Sequence, residues 1–139
     1  MNSESATYSG FEFESDGYPA LAIINTDLKN IERANYPYSV FITIIPDTYN
    51  EFGHPEEEEY DYLNDLEKKM MSYLESETET VHVGHTTVYR AREIIFYTKD
   101  RELVESFLNY FLPETEREHS FDIEQDEEWN NVSGFYELL

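Results

Sequence analysis

The sequence predicts a single α+β domain, with helices packed on one face of an antiparallel sheet. Short alternating or β-branched stretches recur along the chain, two helical apolar patterns lie between them, and no linker interrupts the series. A length of 139 residues suits one domain that buries its core without staples. Hydrophobic residues make up 40% and aromatics 16%, so the chain is not a disordered acidic tail.

The elements follow in order. Phe11, Glu12, Phe13 and Glu14 alternate apolar and acidic, the period of a half-buried strand. Asp16-Gly17 is a turn signal, and Ala20, Leu21, Ala22, Ile23 and Ile24 read as a second strand, so 8–27 forms a hairpin. Leu28 and Ile31 are spaced as a helical turn that Pro37 closes. Residues 38–45 are β-branched and aromatic on both faces, which predicts a central strand ended by Pro46. Residues 47–54 carry loop signals, and Pro55 suits the first position of a helix. Its apolar stripe is Tyr60, Leu63, Leu66, Met70, Tyr73 and Leu74. Strands follow at 80–88 and 93–98, with Gly84 marking a bulge or a close backbone approach. Asp100 is the expected N-cap of a second helix carrying Leu103, Val104, Phe107, Leu108 and Phe111, and Pro113 stops it. Residues 120–124 alternate again, and Asp126 is the expected cap of a short helix in which Trp129, Val132 and Tyr136 share a face. The core over 38–125 thus reads βαββαβ, the ferredoxin-like split-βαβ order. The hairpin and the 126–139 helix and tail decorate it.

Charge is the dominant compositional feature. A formal net charge of -22 disfavours nucleic acid and anionic membrane surfaces as partners. It is read as solubility, as steering toward a basic protein such as a nuclease, or as salt adaptation. The excess is mostly glutamate rather than aspartate, which counts against the last. Cysteine is absent, which removes disulfides and thiolate chemistry. The first residues show neither a basic nor an apolar leader region, so a cytoplasmic location is expected, and Asn131-Val132-Ser133 is then a chance sequon.

No catalytic motif, phosphate loop or calcium-loop spacing is present. His82 and His85 are the only histidines close in sequence, and on a regular strand three-residue spacing places them on opposite faces. No metal, no cofactor and no catalytic residue is therefore assigned. Glu56, Glu57, Glu58, Glu59 and Asp61 form the densest acidic run, either a solvated helix start or a protein-binding patch. Trp129 is either a core anchor or an exposed interface anchor, and Tyr136 shares its face. Arg90, Arg92, Lys99 and Arg101 flank one strand and are expected to pair with acids rather than bind an anion.

Several segments together resemble a bacterial domain family of unknown function, family six-nine-five. They are Asp16-Gly17-Tyr18-Pro19-Ala20, Asn25-Thr26-Asp27-Leu28, Pro37-Tyr38 with Val40-Phe41-Ile42-Thr43-Ile44, the Leu63 to Glu67 stretch, Val83-Gly84-His85-Thr86-Thr87, Arg92-Glu93-Ile94-Ile95-Phe96-Tyr97 and Asp126-Glu127-Glu128-Trp129. The chain departs from that pattern at Glu127, where the family has proline, and at Tyr136-Glu137-Leu138-Leu139, which replaces an aromatic-proline ending. The family is similar to the regulator of ribonuclease activity B, and the resemblance implies an acidic ferredoxin-like inhibitor or adaptor. The leading expectation is thus a non-enzymatic regulatory domain that binds a basic protein partner. The alternatives are an immunity protein against a toxin, or a small-ligand enzyme with a Tyr/His/carboxylate pocket that includes His85 and Tyr97.

Overall fold

The computed structural model describes residues 3–139, the side chain of Tyr136 excepted. Six strands form one antiparallel sheet: β1 (Tyr8–Ser15), β2 (Tyr18–Asn25), β3 (Tyr38–Ile44), β4 (Thr80–Val88), β5 (Ala91–Thr98) and β6 (His119–Gln125). Their order is β1-β2-β4-β5-β3-β6. Two helices, α1 (Glu57–Glu77) and α2 (Arg101–Phe111), cross over between strands, and a four-residue α3 (Ser133–Tyr136) ends the chain.

The β1–β2 hairpin turns at Asp16 (φ 51°) and Gly17 (φ 84°), two consecutive left-handed residues whose twist matches the flanking strands. As its two-sided apolar pattern requires, β3 is interior, paired with β5 on one side and β6 on the other. Val40, Ile42 and Ile44 of β3 and Ile94 and Phe96 of β5 meet Leu63, Leu66, Met70 and Leu74 of α1 and Val104 and Leu108 of α2. Both long helices therefore lie on one face. The opposite face packs Ala22, Ile24, Val81, Val83, Ile95 and Tyr97 beneath Leu28, Tyr36, Trp129 and Val132. Two short 3-10 turns (Thr26–Asn30 and Arg33–Asn35) and the C-terminal segment supply that cover.

Asp100 caps α2 as expected, accepting from the Leu103 N–H at 3.1 Å. Three expectations are corrected. Pro55 does not open α1; it forms an isolated bridge with Tyr49, and the helix starts two residues later with Glu56 at its N-cap. The buried stripe of α1 includes Glu59, Glu67 and Met71, while Tyr60 and Tyr73 are 37% and 45% exposed. The sheet offers the helix a polar strip as well as an apolar one, and two glutamates fill it. Finally, the chain after Asp126 is no continuous helix. Trp129 takes a left-handed φ of 61°, and a 3-10 turn at Asn130–Val132 separates it from α3. Asp126 still caps, accepting from the N–H groups of Asn130 and Asn131 at 2.9 Å each. Among the described residues no helix is long and apolar enough to cross a membrane.

Candidate functional site

The site begins with an irregularity in β4. Its pairing with β5 is regular through His82, shifts between His82 and Gly84, and resumes with Gly84 opposite Ile95. One extra residue in a strand reverses the alternation beyond it. The bulge therefore turns His85 to the same face as His82, and both point at α1. This overturns the expectation that three-residue spacing separates them. Gly84 makes the bulge possible: its φ is 147°, and a Cβ there would lie 1.9 Å from the Ile23 carbonyl oxygen of β2.

Opposite the two histidines, α1 contributes Glu67, one turn from Leu63 and buried to 5% exposure. The Nε2 atom of His82 lies 2.7 Å from Glu67 Oε2. The Nδ1 atom of His85 lies 2.9 Å from Oε1 and 3.0 Å from Oε2. Arg92 of β5, with no exposed surface, brings Nη1 to 3.3 Å from Oε1 and to 2.8 Å from Asn64 Oδ1. Tyr8 of β1 completes the set, its hydroxyl 2.7 Å from His82 Nδ1.

Protonation follows from this geometry. Burial pushes the Glu67 carboxyl up, but the charge that the His85 and His82 rings carry when protonated, together with their hydrogen bonds, outweighs it and holds the group well below the usual carboxylate range. An ionised carboxylate only accepts, so His82 donates from Nε2 and His85 from Nδ1. Burial, reinforced by the charges of Glu67, Glu75 and Asp27, pushes the Tyr8 phenol up, so it remains a donor, and it donates to His82 Nδ1 in the neutral form of that ring. A chain of hydrogen bonds thus runs from Tyr8 through His82 and Glu67 to His85. The far ring nitrogen of His85, Nε2, is buried without a partner among the described residues. In the neutral ring, a carboxylate that anchors Nδ1–H and leaves Nε2 without a partner is the arrangement that orients a histidine as a proton acceptor.

Tyr8, Glu67, His82 and His85 form one wall of a pocket of about 270 Å³ between α1 and the β1–β2 hairpin, with Arg92 buried behind Glu67 and Asn64. Ile23 and Met71 supply apolar wall, while Ser3 and Glu4 stand at the rim contributed by the N-terminal segment. Ser3 is tied down there, its N–H and hydroxyl each 2.8 Å from Glu75. The hairpin is therefore more than decoration, because it widens the sheet past the edge of α1 and so creates the cleft.

The residues singled out in the sequence are dispersed. Glu56, Glu57, Glu58 and Asp61 are exposed around the start of α1. Glu59 is not part of that surface: its buried carboxylate accepts from Arg117 Nε and Nη2 at 2.8 Å each and from the Asp47 N–H at 2.7 Å. Trp129 is 1% exposed, stacked on Tyr97 with ring centroids 4.1 Å apart, and donates Nε1–H to the Tyr36 carbonyl at 3.0 Å. It is a core anchor and not an exposed interface residue. The side chain of Tyr136 lies outside the described residues. Tyr97, expected beside His85, is on the other face and donates to Asp126 Oδ2 at 2.6 Å. Sequence reasoning missed Tyr8, Asn64 and Glu67, whereas Arg92 pairs with an acid, as expected. Two signals were present: the glycine between the histidines, and a glutamate within the apolar stripe of α1. Among the described residues no group of three or more His, Cys, Asp or Glu could hold a metal ion.

Fold and site together define a small α+β domain that carries a buried Tyr/His/Glu/Arg cluster beside a cleft. The chain belongs to the family of unknown function DUF695, whose model it matches over residues 11–136. No curated protein and no solved structure matches it.

Proposed function

We propose that this domain binds a small molecule in the cleft between α1 and the hairpin, where His85 accepts a proton or hydrogen bond from it. The observation that carries this reading is Glu67, a buried carboxylate that engages two histidines and an arginine within 3.3 Å beside a pocket. Such a cluster costs stability relative to an apolar core, which makes a functional reason for it physically reasonable. The pocket volume falls just below the range of roughly 300–1,000 Å³ usual for ligand sites, so the ligand is small. Of the classes expected from sequence, this matches the Tyr/His/carboxylate pocket, with Tyr8 taking the place of Tyr97. A fragment screen by NMR tests it. Binders are expected to shift the ring signals of His82 and His85 and the Met71 methyl, and to lose these shifts in Ile23→Trp, which fills the cleft. A screen in which no fragment moves these signals sinks the reading.

A second reading has its own support. The net charge of -22 and the exposed carboxylates of Glu56, Glu57, Glu58 and Asp61 favour an acidic regulatory domain that docks on a basic protein, such as a nuclease or a toxin. The strand order β4-β5-β3-β6, with α1 and α2 on one face, supports a ferredoxin-like core and, with it, kinship to the bacterial ribonuclease regulator. That step is fold analogy. A cytoplasmic site of action fits this reading. It predicts an association rate that falls steeply with salt. Recovery of no basic protein from native lysate at low ionic strength counts against it.

A further inference from the structure

Resting on the reading of the cleft as a small-ligand site, we infer that its ligand is a small primary amine, bound as the ammonium ion against Tyr8, His85 and Glu4. All three residues line the cleft, together with Ser3, Ile23 and Met71. The hydrogen bonds already made within the wall decide what it still offers. Both oxygens of Glu67 are taken by His82, His85 and Arg92, and both ring nitrogens of His82 are engaged, one by Glu67 and one by Tyr8. Tyr8 directs its O–H at His82 Nδ1, so toward a ligand its hydroxyl oxygen is an acceptor. His85 directs Nδ1–H at Glu67, and in the neutral ring its Nε2 is an acceptor too, without a partner among the described residues. At the rim Ser3 donates its hydroxyl to Glu75, and Glu4 brings a carboxylate. An ammonium carries three donors and no acceptor, which matches a wall whose remaining valences accept.

The sign of the charge agrees. Arg92 balances Glu67, which leaves Glu4 at the rim, Glu75 behind Ser3 and Asp27 near Tyr8 against the ammonium of Lys68. Burial pushes the Tyr8 phenol up, and the charges of Glu67, Glu75 and Asp27 push it the same way. Charges that resist a phenolate at that oxygen attract a cation to it, and they repel a carboxylate. Two donors remain on the lining, the Asn64 amide and the Lys68 ammonium, both on α1. Lys68 is exposed, so water and salt screen it more strongly than they screen buried Glu67. Ile23 and Met71 supply apolar wall beside the acceptors, so the amine carries a short hydrocarbon body.

The test uses the full chain and three probes that share a four-carbon body: butylammonium, butan-1-ol and butanoate. Tetramethylammonium, a cation without N–H groups, is the control for attraction by net charge alone. Binding is followed by NMR through the ring signals of His82 and His85 and the Met71 methyl. Butylammonium is expected to shift these signals saturably, in the millimolar range of so small a probe, and to bind more tightly than the other three by roughly tenfold. Tyr8→Phe keeps the ring and removes the acceptor, and it is expected to weaken butylammonium roughly tenfold. Glu4→Gln, at the exposed rim, is expected to weaken it about threefold, and it carries the test if the phenylalanine variant does not fold. Tetramethylammonium, butan-1-ol or butanoate binding as tightly as butylammonium each overturns the inference, as does a butylammonium affinity that neither variant changes. If butylammonium leaves the signals unmoved while other fragments bind and Ile23→Trp abolishes them, the inference fails and the cleft reading stands. If no probe or fragment of any charge moves them, both fail.

Discussion

Two carboxylates are buried on opposite faces of the same sheet, and their surroundings differ in kind. Asp126 accepts from the Tyr97 hydroxyl and from two backbone N–H groups, all within 2.9 Å, beneath the stacked rings of Tyr97 and Trp129. Every donor around it has that single structural task, which is to fasten the C-terminal segment to the sheet. Glu67 accepts from two histidines and an arginine, and the residues in its row leave His85 Nε2, Thr87 Oγ1 and two Arg92 nitrogens open. Satisfied polar groups specify a structure, whereas buried ones without a partner cost stability. One face of the sheet is finished by the fold, and the other is left incomplete beside a cleft.

Breaking the finished face is expected to have the largest effect. Trp129→Ala removes the ring that stacks on Tyr97 and should cost about 3–5 kcal/mol in denaturant unfolding, with the cleft resonances of any population still folded unchanged. Gly84→Ala comes next. Its Cβ would meet the Ile23 carbonyl, so β2 must move or the bulge must vanish, at a cost of about 1–3 kcal/mol or more. It should also disturb the histidine pair, visible as shifted ring signals of His82 and His85. Unchanged stability and ring signals would show that the bulge does not set the site.

A pH series is expected to give a smaller effect that separates the two carboxylates. The Glu67 carboxyl is held below its unfolded value, so its contribution is full above the ordinary carboxylate range and is lost as pH falls through the folded value. Glu59, lowered by its hydrogen bonds to Arg117 against burial, acts in the same direction. Glu67→Gln should therefore flatten the acid limb of stability against pH relative to wild type; an unaltered limb would assign acid sensitivity elsewhere. Glu93 runs the opposite way, because burial alone raises its carboxyl, and its contribution is lost as pH rises through the folded value. The smallest change is Thr87→Val. It replaces a buried hydroxyl without a partner by an isosteric methyl, and the thermal midpoint should stay level or rise, by up to about 1 kcal/mol of stability. A clear loss would mean that the hydroxyl has a hydrogen-bond partner after all.

Much of this was legible along the chain. The hairpin turn at Asp16-Gly17, the interior strand β3, the Asp100 cap and the order of strands and helices from 38 to 125 all follow from local pattern, because each rests on neighbours within a few residues. The site was legible only in fragments. Gly84 signalled a bulge, yet the alternation rule was applied to His82 and His85 as if the strand were regular. Tyr8, Glu67 and Arg92 lie on three elements, and nothing in their local sequence announces that they meet.

By itself, the sequence determined an acidic α+β domain, its element order, and an aromatic core without cysteine chemistry. Those properties are sums over composition or repeats of short period, so they survive without knowledge of the third dimension. Only the tertiary structure decided which glutamate is buried, which face each histidine takes, and where polar atoms are left open. These depend on one inserted residue in β4 and on the register of α1 against the sheet. A shift of a single position in either would send the same side chains to a different environment.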